Sequence, residues 1–173
     1  AQTDYLPPAP PTGLTATAGN LKVTLQWIES DGATSYEIYR SQTQGGPYNQ
    51  KAYGVLNTPW DDITVSKGIT YYYVIKAIGQ GGPSDYSNEA SATPYGVPEP
   101  PTDLQTPWAW YDAITLSWTD SIDEDTYRLE RSTDGVSYDW SVNLAQNSST
   151  YDNSGLTAGT TYYYRLYAVN QHG

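Results

Sequence analysis

Gly68-Ile69-Thr70-Tyr71-Tyr72-Tyr73-Val74-Ile75-Lys76-Ala77 recurs further along the chain as Gly159-Thr160-Thr161-Tyr162-Tyr163-Tyr164-Arg165-Leu166-Tyr167-Ala168. The same register, an offset of 90 to 91 residues, lays Pro10-Pro11-Thr12-Gly13-Leu14 on Pro100-Pro101-Thr102-Asp103-Leu104. It also lays Val23-Thr24-Leu25-Gln26-Trp27 on Ile114-Thr115-Leu116-Ser117-Trp118, and Tyr36 to Ser41 on Tyr127 to Ser132. The chain is therefore an internal duplication. Within a copy the apolar residues alternate, as Leu21, Val23, Leu25 and Trp27 do against Lys22, Thr24 and Gln26, the period of a half-buried strand. Gln44-Gly45-Gly46-Pro47 and Thr133-Asp134-Gly135 supply turns, because Gly and Asp accept positive φ. No stretch keeps a 3.6-residue period. Short strands at regular spacing with turns between them predict an all-β chain of two tandem antiparallel β-sandwiches.

Length and composition agree with this reading. The 173 residues hold 18 Tyr, 6 Trp, 12 Pro and 15 Gly with no Phe or Met, aromatic residues between Pro and Gly punctuation. The expected layout is an N-terminal tail over 1–9, a first domain over 10–94, a Pro-rich linker over 95–101 and a second domain over 102–173. Prolines at 94, 98, 100 and 101 hold the linker extended, with Gly96 as its hinge.

Charge and rare residues exclude most functions. Nineteen acids against 8 bases leave a net charge of -11, a surface that phosphate backbones repel, so nucleic acid is not an expected partner. With no Cys there are no disulfides, thiolate metal ligands or thiol catalysis, and the single histidine, His172, leaves almost nothing for acid-base chemistry near neutral pH. No apolar run approaches the roughly 20 residues that span a bilayer, so membrane insertion is not expected. Nothing implies a cofactor. The chain opens on Ala1 rather than Met, as a processed or excised piece would.

The repeated phrases resemble fibronectin type III domains of the bacterial extracellular kind. The likeness rests on a Trp in the second strand, Tyr-x-Ile/Leu in the third, the Gly-x-x-Tyr-x-Tyr run, and Ser87-Asn88-Glu89-Ala90-Ser91-Ala92-Thr93-Pro94. Tyr39-Arg40-Ser41 before Gly45-Gly46-Pro47-Tyr48, with Arg131-Ser132-Thr133-Asp134-Gly135 in the copy, is a phrase of secreted polysaccharide-degrading enzymes and surface proteins that carry these domains. The resemblance implies an immunoglobulin-like sandwich, with Trp27 and Trp118 filling the two cores and Tyr71 and Tyr162 as tyrosine-corner residues.

Two clusters stand apart from these structural roles. Trp108, Trp110 and Tyr111 occupy the connection between the first two strands of the second domain, where the first has Thr17, Ala18, Gly19 and Asn20. Such rings stack on sugars, dock a protein or cap the sandwich end. Asp120, Asp123, Glu124 and Asp125 crowd the loop after Trp118. Residues 98–173 carry 11 acids and 3 bases, against 8 and 5 before them. Clustered carboxylates suit Ca²⁺, yet the spacing is not that of an EF-hand, and a solvated acidic loop is the expected state. A contact to Lys67 or a cation at the joint is the sharper alternative. Asp61-Asp62 is a carboxylate pair of the sort a glycosidase needs, but no cleft accompanies it. Gly79-Gln80-Gly81-Gly82-Pro83-Ser84-Asp85 lacks an Arg-Gly-Asp, and Asn147-Ser148-Ser149 is a glycosylation sequon.

The expected function is a non-catalytic extracellular structural or assembly module of a microbial surface protein, fibre or filament. It would contact neighbouring subunits or flanking domains. The alternative is a spacer, or a weakly polysaccharide-binding region, of a secreted polysaccharide-degrading enzyme. One asymmetry bears on both. After its Tyr71 to Ala77 strand the first copy continues through Pro94, whereas the second has only Asn170, Gln171, His172 and Gly173. The second sandwich is expected to lack its last strand, either because the sequence is a piece of a longer one or because a neighbouring chain supplies the strand.

Overall fold

The computed structural model describes residues 5–173, and the chain divides into two compact units, Ala1–Gly96 and Val97–Gly173. In unit 1, β1 (Thr12–Gly19), β2 (Lys22–Ile28) and β5 (Trp60–Asp62) form one sheet in the order β1-β2-β5. The facing sheet runs β4 (Asn49–Val55), β3 (Ser35–Ser41), β6 (Tyr71–Gly79) and β7 (Gly82–Pro83), and β8 (Ala90–Ala92) also pairs with β6. Alternation sets the core. Val23, Leu25 and Trp27 from β2 meet Tyr36 and Ile38 from β3 and Tyr71, Tyr73, Ile75 and Ala77 from β6, all buried. The Trp27 and Tyr36 rings pack edge to face, 5.2 Å between centroids, an arrangement that adds to the area they bury.

Unit 2 repeats the plan with less material. β9 (Thr102–Ala109), β10 (Ala113–Thr119) and β13 (Thr150–Ser154) make a three-stranded sheet in the order β13-β10-β9. β11 (Thr126–Ser132), β12 (Trp140–Ala145) and β14 (Tyr163–Val169) make the other, ordered β12-β11-β14. Leu116, Trp118, Tyr127 and Leu129 are its buried core, with Trp118 and Tyr127 5.6 Å apart. Among the described residues nothing pairs with the far edge of β14, the position that β8 takes beside β6 in unit 1. The cost shows in the core. Tyr73, Ile75 and Ala77 are 0% exposed, whereas their counterparts Tyr164, Leu166 and Ala168 are only partly buried.

The limits of the first unit differ from the sequence expectation. Tyr95, assigned to the linker, belongs to unit 1: its N–H donates to the Gly19 carbonyl (3.2 Å) and its carbonyl accepts from Leu21 N–H (2.8 Å). Nor are residues 5–9 of the supposed tail free of the sandwich. Pro8 lies so close over Gly79 that a Cβ there would sit 2.6 Å from its Cγ, and one at Gly81 would collide with the backbone of Tyr5 and Leu6. The segment crosses where only glycine leaves room. Residues 1–4 lie outside the described residues.

Candidate functional site

The Arg repeated at 40 and 131 reaches a polar partner on the facing sheet in both copies. In unit 1 Asp62 is 0% exposed. Its carboxylate accepts from Arg40 Nη1 (2.7 Å), from Tyr73 Oη (3.1 Å), and from the N–H (2.9 Å) and hydroxyl (2.7 Å) of Thr64. Burial pushes the Asp62 pKa up, but the Thr64 donors and the Arg40 guanidinium outweigh it and hold the group below the usual carboxylate range. The same burial, with the Asp62 charge beside it, pushes Tyr73 well above an ordinary phenol. In unit 2 Asn153 stands where Asp62 does. Its Oδ1 accepts from Arg131 Nη1 (2.7 Å) and Tyr164 Oη (3.0 Å). This network is structural, and it explains Asp61-Asp62: adjacent strand residues point to opposite faces. Asp62 enters the sandwich while Asp61 faces outward, bonded to Lys22 Nζ (2.8 Å) and Thr24 Oγ1 (2.6 Å). The two carboxylates cannot flank one substrate.

Tyr71 accepts from Ser66 N–H (3.0 Å) and Tyr162 from Thr157 N–H (2.9 Å), each bonding back five residues across a corner. Trp27 and Trp118 sit in the cores, 5% exposed, with their indole nitrogens unpaired among the described residues.

The acidic loop does not gather its carboxylates. Asp120 accepts from Tyr127 Oη (2.6 Å), buried Glu124 from Asn147 N–H (3.0 Å), and Asp125 from Gln171 N–H (3.1 Å). Asp123 takes φ 73°, and its carbonyl accepts from Asn170 Nδ2 (3.1 Å). The side chains of Asp120, Glu124 and Asp125 each close the loop on a different neighbour, and among the described residues no group of three acidic or imidazole side chains could hold a metal. Of the four carboxylates named as a Ca²⁺ candidate, those of Asp120, Glu124 and Asp125 serve as caps within the loop. Millimolar Ca²⁺ should leave the melting temperature unchanged, since only binding to the native state raises it; a rise abolished by Asp123→Asn would contradict this geometry.

Residues 82–92 finish unit 1 in a way that unit 2 does not match. Ser84 and Ser87 hydroxyls accept from the N–H groups of Ala77 (2.9 Å) and Ile75 (3.0 Å). Asn88 bridges to β1, accepting from Leu14 N–H (3.0 Å) and donating to its carbonyl (2.9 Å). Tyr86 packs against Tyr39, 5.2 Å between centroids, under the Lys76 ammonium at 4.5 Å. Glu89 accepts from Gly45 N–H (2.8 Å) and from the Tyr48 hydroxyl. On the matching face of unit 2, Glu130 is nearly buried between Arg128 (2.7 Å) and Arg165 (2.5 Å), and Arg165 lies over the Tyr138 ring at 3.9 Å. Those pairs cover the sheet face but leave the edge of β14 open.

The aromatic cluster is placed differently from the sequence expectation. Only Trp110 and Tyr111 lie in the connection, which Trp110 N–H closes onto the Ala113 carbonyl (2.7 Å). Trp108 is a strand residue: β9 and β10 shift register between Thr115 and Ser117, after which Trp108 pairs with Thr115 where Thr17 pairs with Thr24 in unit 1. The shift turns Trp108 away from the core. Exposures are 61% for Trp108, 68% for Trp110 and 86% for Tyr111. The cleft between Trp110 and Tyr162 has a volume of only about 120 Å³, below the roughly 300 Å³ at which ligand pockets begin. A 380 Å³ depression beside Arg40 and Lys51 contains no carboxylate or histidine.

A family model of the fibronectin type III domain matches residues 99–173. The chain is 36% identical to a Fn3-like protein from Clostridium thermocellum of known structure, over 50% of this chain and 93% of that one, with a TM-score of 0.47. Three fibronectin domains of chicken CNTN1 share the fold at a TM-score of 0.51 and 18% identity, covering 97% of this chain and 62% of that one. The chain belongs to the fibronectin type III family. An amylopullulanase from Thermoanaerobacterium thermosulfurigenes is 45% identical over 92 residues, 53% of this chain and 5% of that enzyme. The chain spans 5% to 7% of the length of the amylopullulanases it matches. What its fibronectin type III units share with those enzymes is thus a small region of each.

Proposed function

We propose that this fibronectin type III tandem is a non-catalytic extracellular structural module of a larger microbial protein, acting through contacts with neighbouring polypeptide segments. The open edge of β14 carries the reading. Among the described residues nothing pairs with the backbone groups on this edge beside the half-buried Tyr164, Leu166 and Ala168, and such an edge is a template for strand addition. Unit 1 displays the ligand chemistry: two serine acceptors, a bridging asparagine and small inward residues at Ala90 and Ala92. A synthetic peptide of residues 82–93, titrated into the full chain, should raise the lower of its melting transitions, and the same peptide with Asn88→Ala should do so less. No shift at millimolar peptide would count against the reading.

The likeness to amylopullulanases, polysaccharide-degrading enzymes, supports a second reading: the tandem is a spacer or polysaccharide-contacting accessory region of such an enzyme. The exposed Trp108 on a sheet face, rather than in a loop that packs on the sandwich end, favours it.

A further inference from the structure

The two units differ most on the outer face of their smaller sheets. In unit 1 a row across three strands reads Thr17, Thr24 and Asp61, and Lys22 seals it by pairing with Asp61 at 2.8 Å. The matching row in unit 2 reads Trp108, Thr115 and Asp152. Thr115 donates its hydroxyl to Asp152 Oδ1 (2.7 Å), just as Thr24 does to Asp61, but Ala113 stands where Lys22 does. Among the described residues the other oxygen of Asp152 has no partner. Two changes, Thr to Trp and Lys to Ala, therefore turn a closed ion pair into an aromatic ring beside an open carboxylate.

We propose that this face binds a neutral polysaccharide, with a pyranose ring stacked on Trp108 and its hydroxyls donating to Asp152. The proposal rests on the accessory-region reading and specifies its site. The negative face of an indole attracts the weakly positive C–H groups on one side of a pyranose. A carboxylate is the strongest acceptor a protein offers to a hydroxyl. Strands about 4.8 Å apart put Trp108 and Asp152, two strands from each other, about 10 Å apart, the reach of one sugar ring and the hydroxyls of its neighbour. Charge selects the class. Residues 98–173 carry 11 acids and 3 bases, so an anionic polysaccharide is repelled while a neutral one is not. A flat face without a pocket suits an extended polymer that repeats its sugar, each contact being weak.

The test is native electrophoresis of the full chain through gels containing pullulan or hydroxyethyl cellulose, two neutral glucans, with a glucan-free gel as reference. The expected result is retardation by at least one of them. Trp108→Ala should abolish it with an unchanged melting temperature. Ala113→Lys, which rebuilds the seal of unit 1, and Asp152→Ala should each weaken it several-fold, while Lys22→Ala should change nothing. Retardation that survives Trp108→Ala would overturn this face and leave the accessory reading standing. No retardation in either gel would overturn both. A concentration-dependent self-association, lost in Trp108→Ala and without retardation, would assign the face to a protein contact and overturn the proposal.

Discussion

Arg40→Ala is expected to cost unit 1 about 3–5 kcal/mol, out of the roughly 5–15 kcal/mol that holds a domain together. The substitution leaves Asp62 charged, fully buried and without its cation, with only Thr64 and Tyr73 to satisfy it. Asp62→Asn should cost less, because unit 2 already runs the same arrangement with Asn153 between Arg131 and Tyr164. The acid response follows from the sign of the shift. Asp62 is held below its unfolded pKa of about 4, so its contribution is present above that pH and is lost as the pH falls through the lower, folded value. The Asp62→Asn variant lacks this loss. Thermal or urea unfolding between pH 7 and pH 2 reads all three effects, and an Arg40→Ala variant as stable as the parent would show the network to be worth nothing.

Unit 2 is expected to be the weaker half, and its weakness should concentrate in β14. Fully burying an apolar side chain contributes about 1.5–3 kcal/mol, and Tyr164 and Leu166 forgo part of that relative to Tyr73 and Ile75. Leu104 is only partly buried where Leu14 is 3% exposed, and the bridge that Asn88 makes to the Leu14 backbone has no counterpart. Local opening takes the least protected elements first. In unit 1 the N–H groups of Ile75 and Ala77 are held by Ser87 and Ser84; their counterparts, Leu166 and Ala168, face the open edge.

The strand plan was legible because period 2 and internal duplication are local signals. Tyr71 to Ala77 lie in one strand, and Tyr163 to Ala168 of the copy lie in another. What the sequence hid was direction. Asp61 and Asp62 are neighbours in the chain but lie on opposite faces, so the carboxylate pair of the sort a glycosidase needs is split between Lys22 outside and Arg40 within. Counting carboxylates in the 120s loop could not say that Asp120, Glu124 and Asp125 each turn to a separate donor. The register shift in β9 was equally silent, and it alone decides that Trp108 stands on a sheet face. The repeat does carry a signal for this pair: Arg40 and Arg131 occupy the same place in both copies, and an arginine repeated inside a strand asks for a partner.

Whether the far edge of β14 accepts a strand is decided by amide hydrogen exchange on monomeric residues 1–173, comparing Tyr162 to Ala168 with Tyr71 to Ala77. Leu166 and Ala168 should exchange at least about tenfold faster than Ile75 and Ala77, the equivalent of about 1.4 kcal/mol, and slow when the peptide of residues 82–93 is added. Equal protection of the two strands without peptide would contradict it.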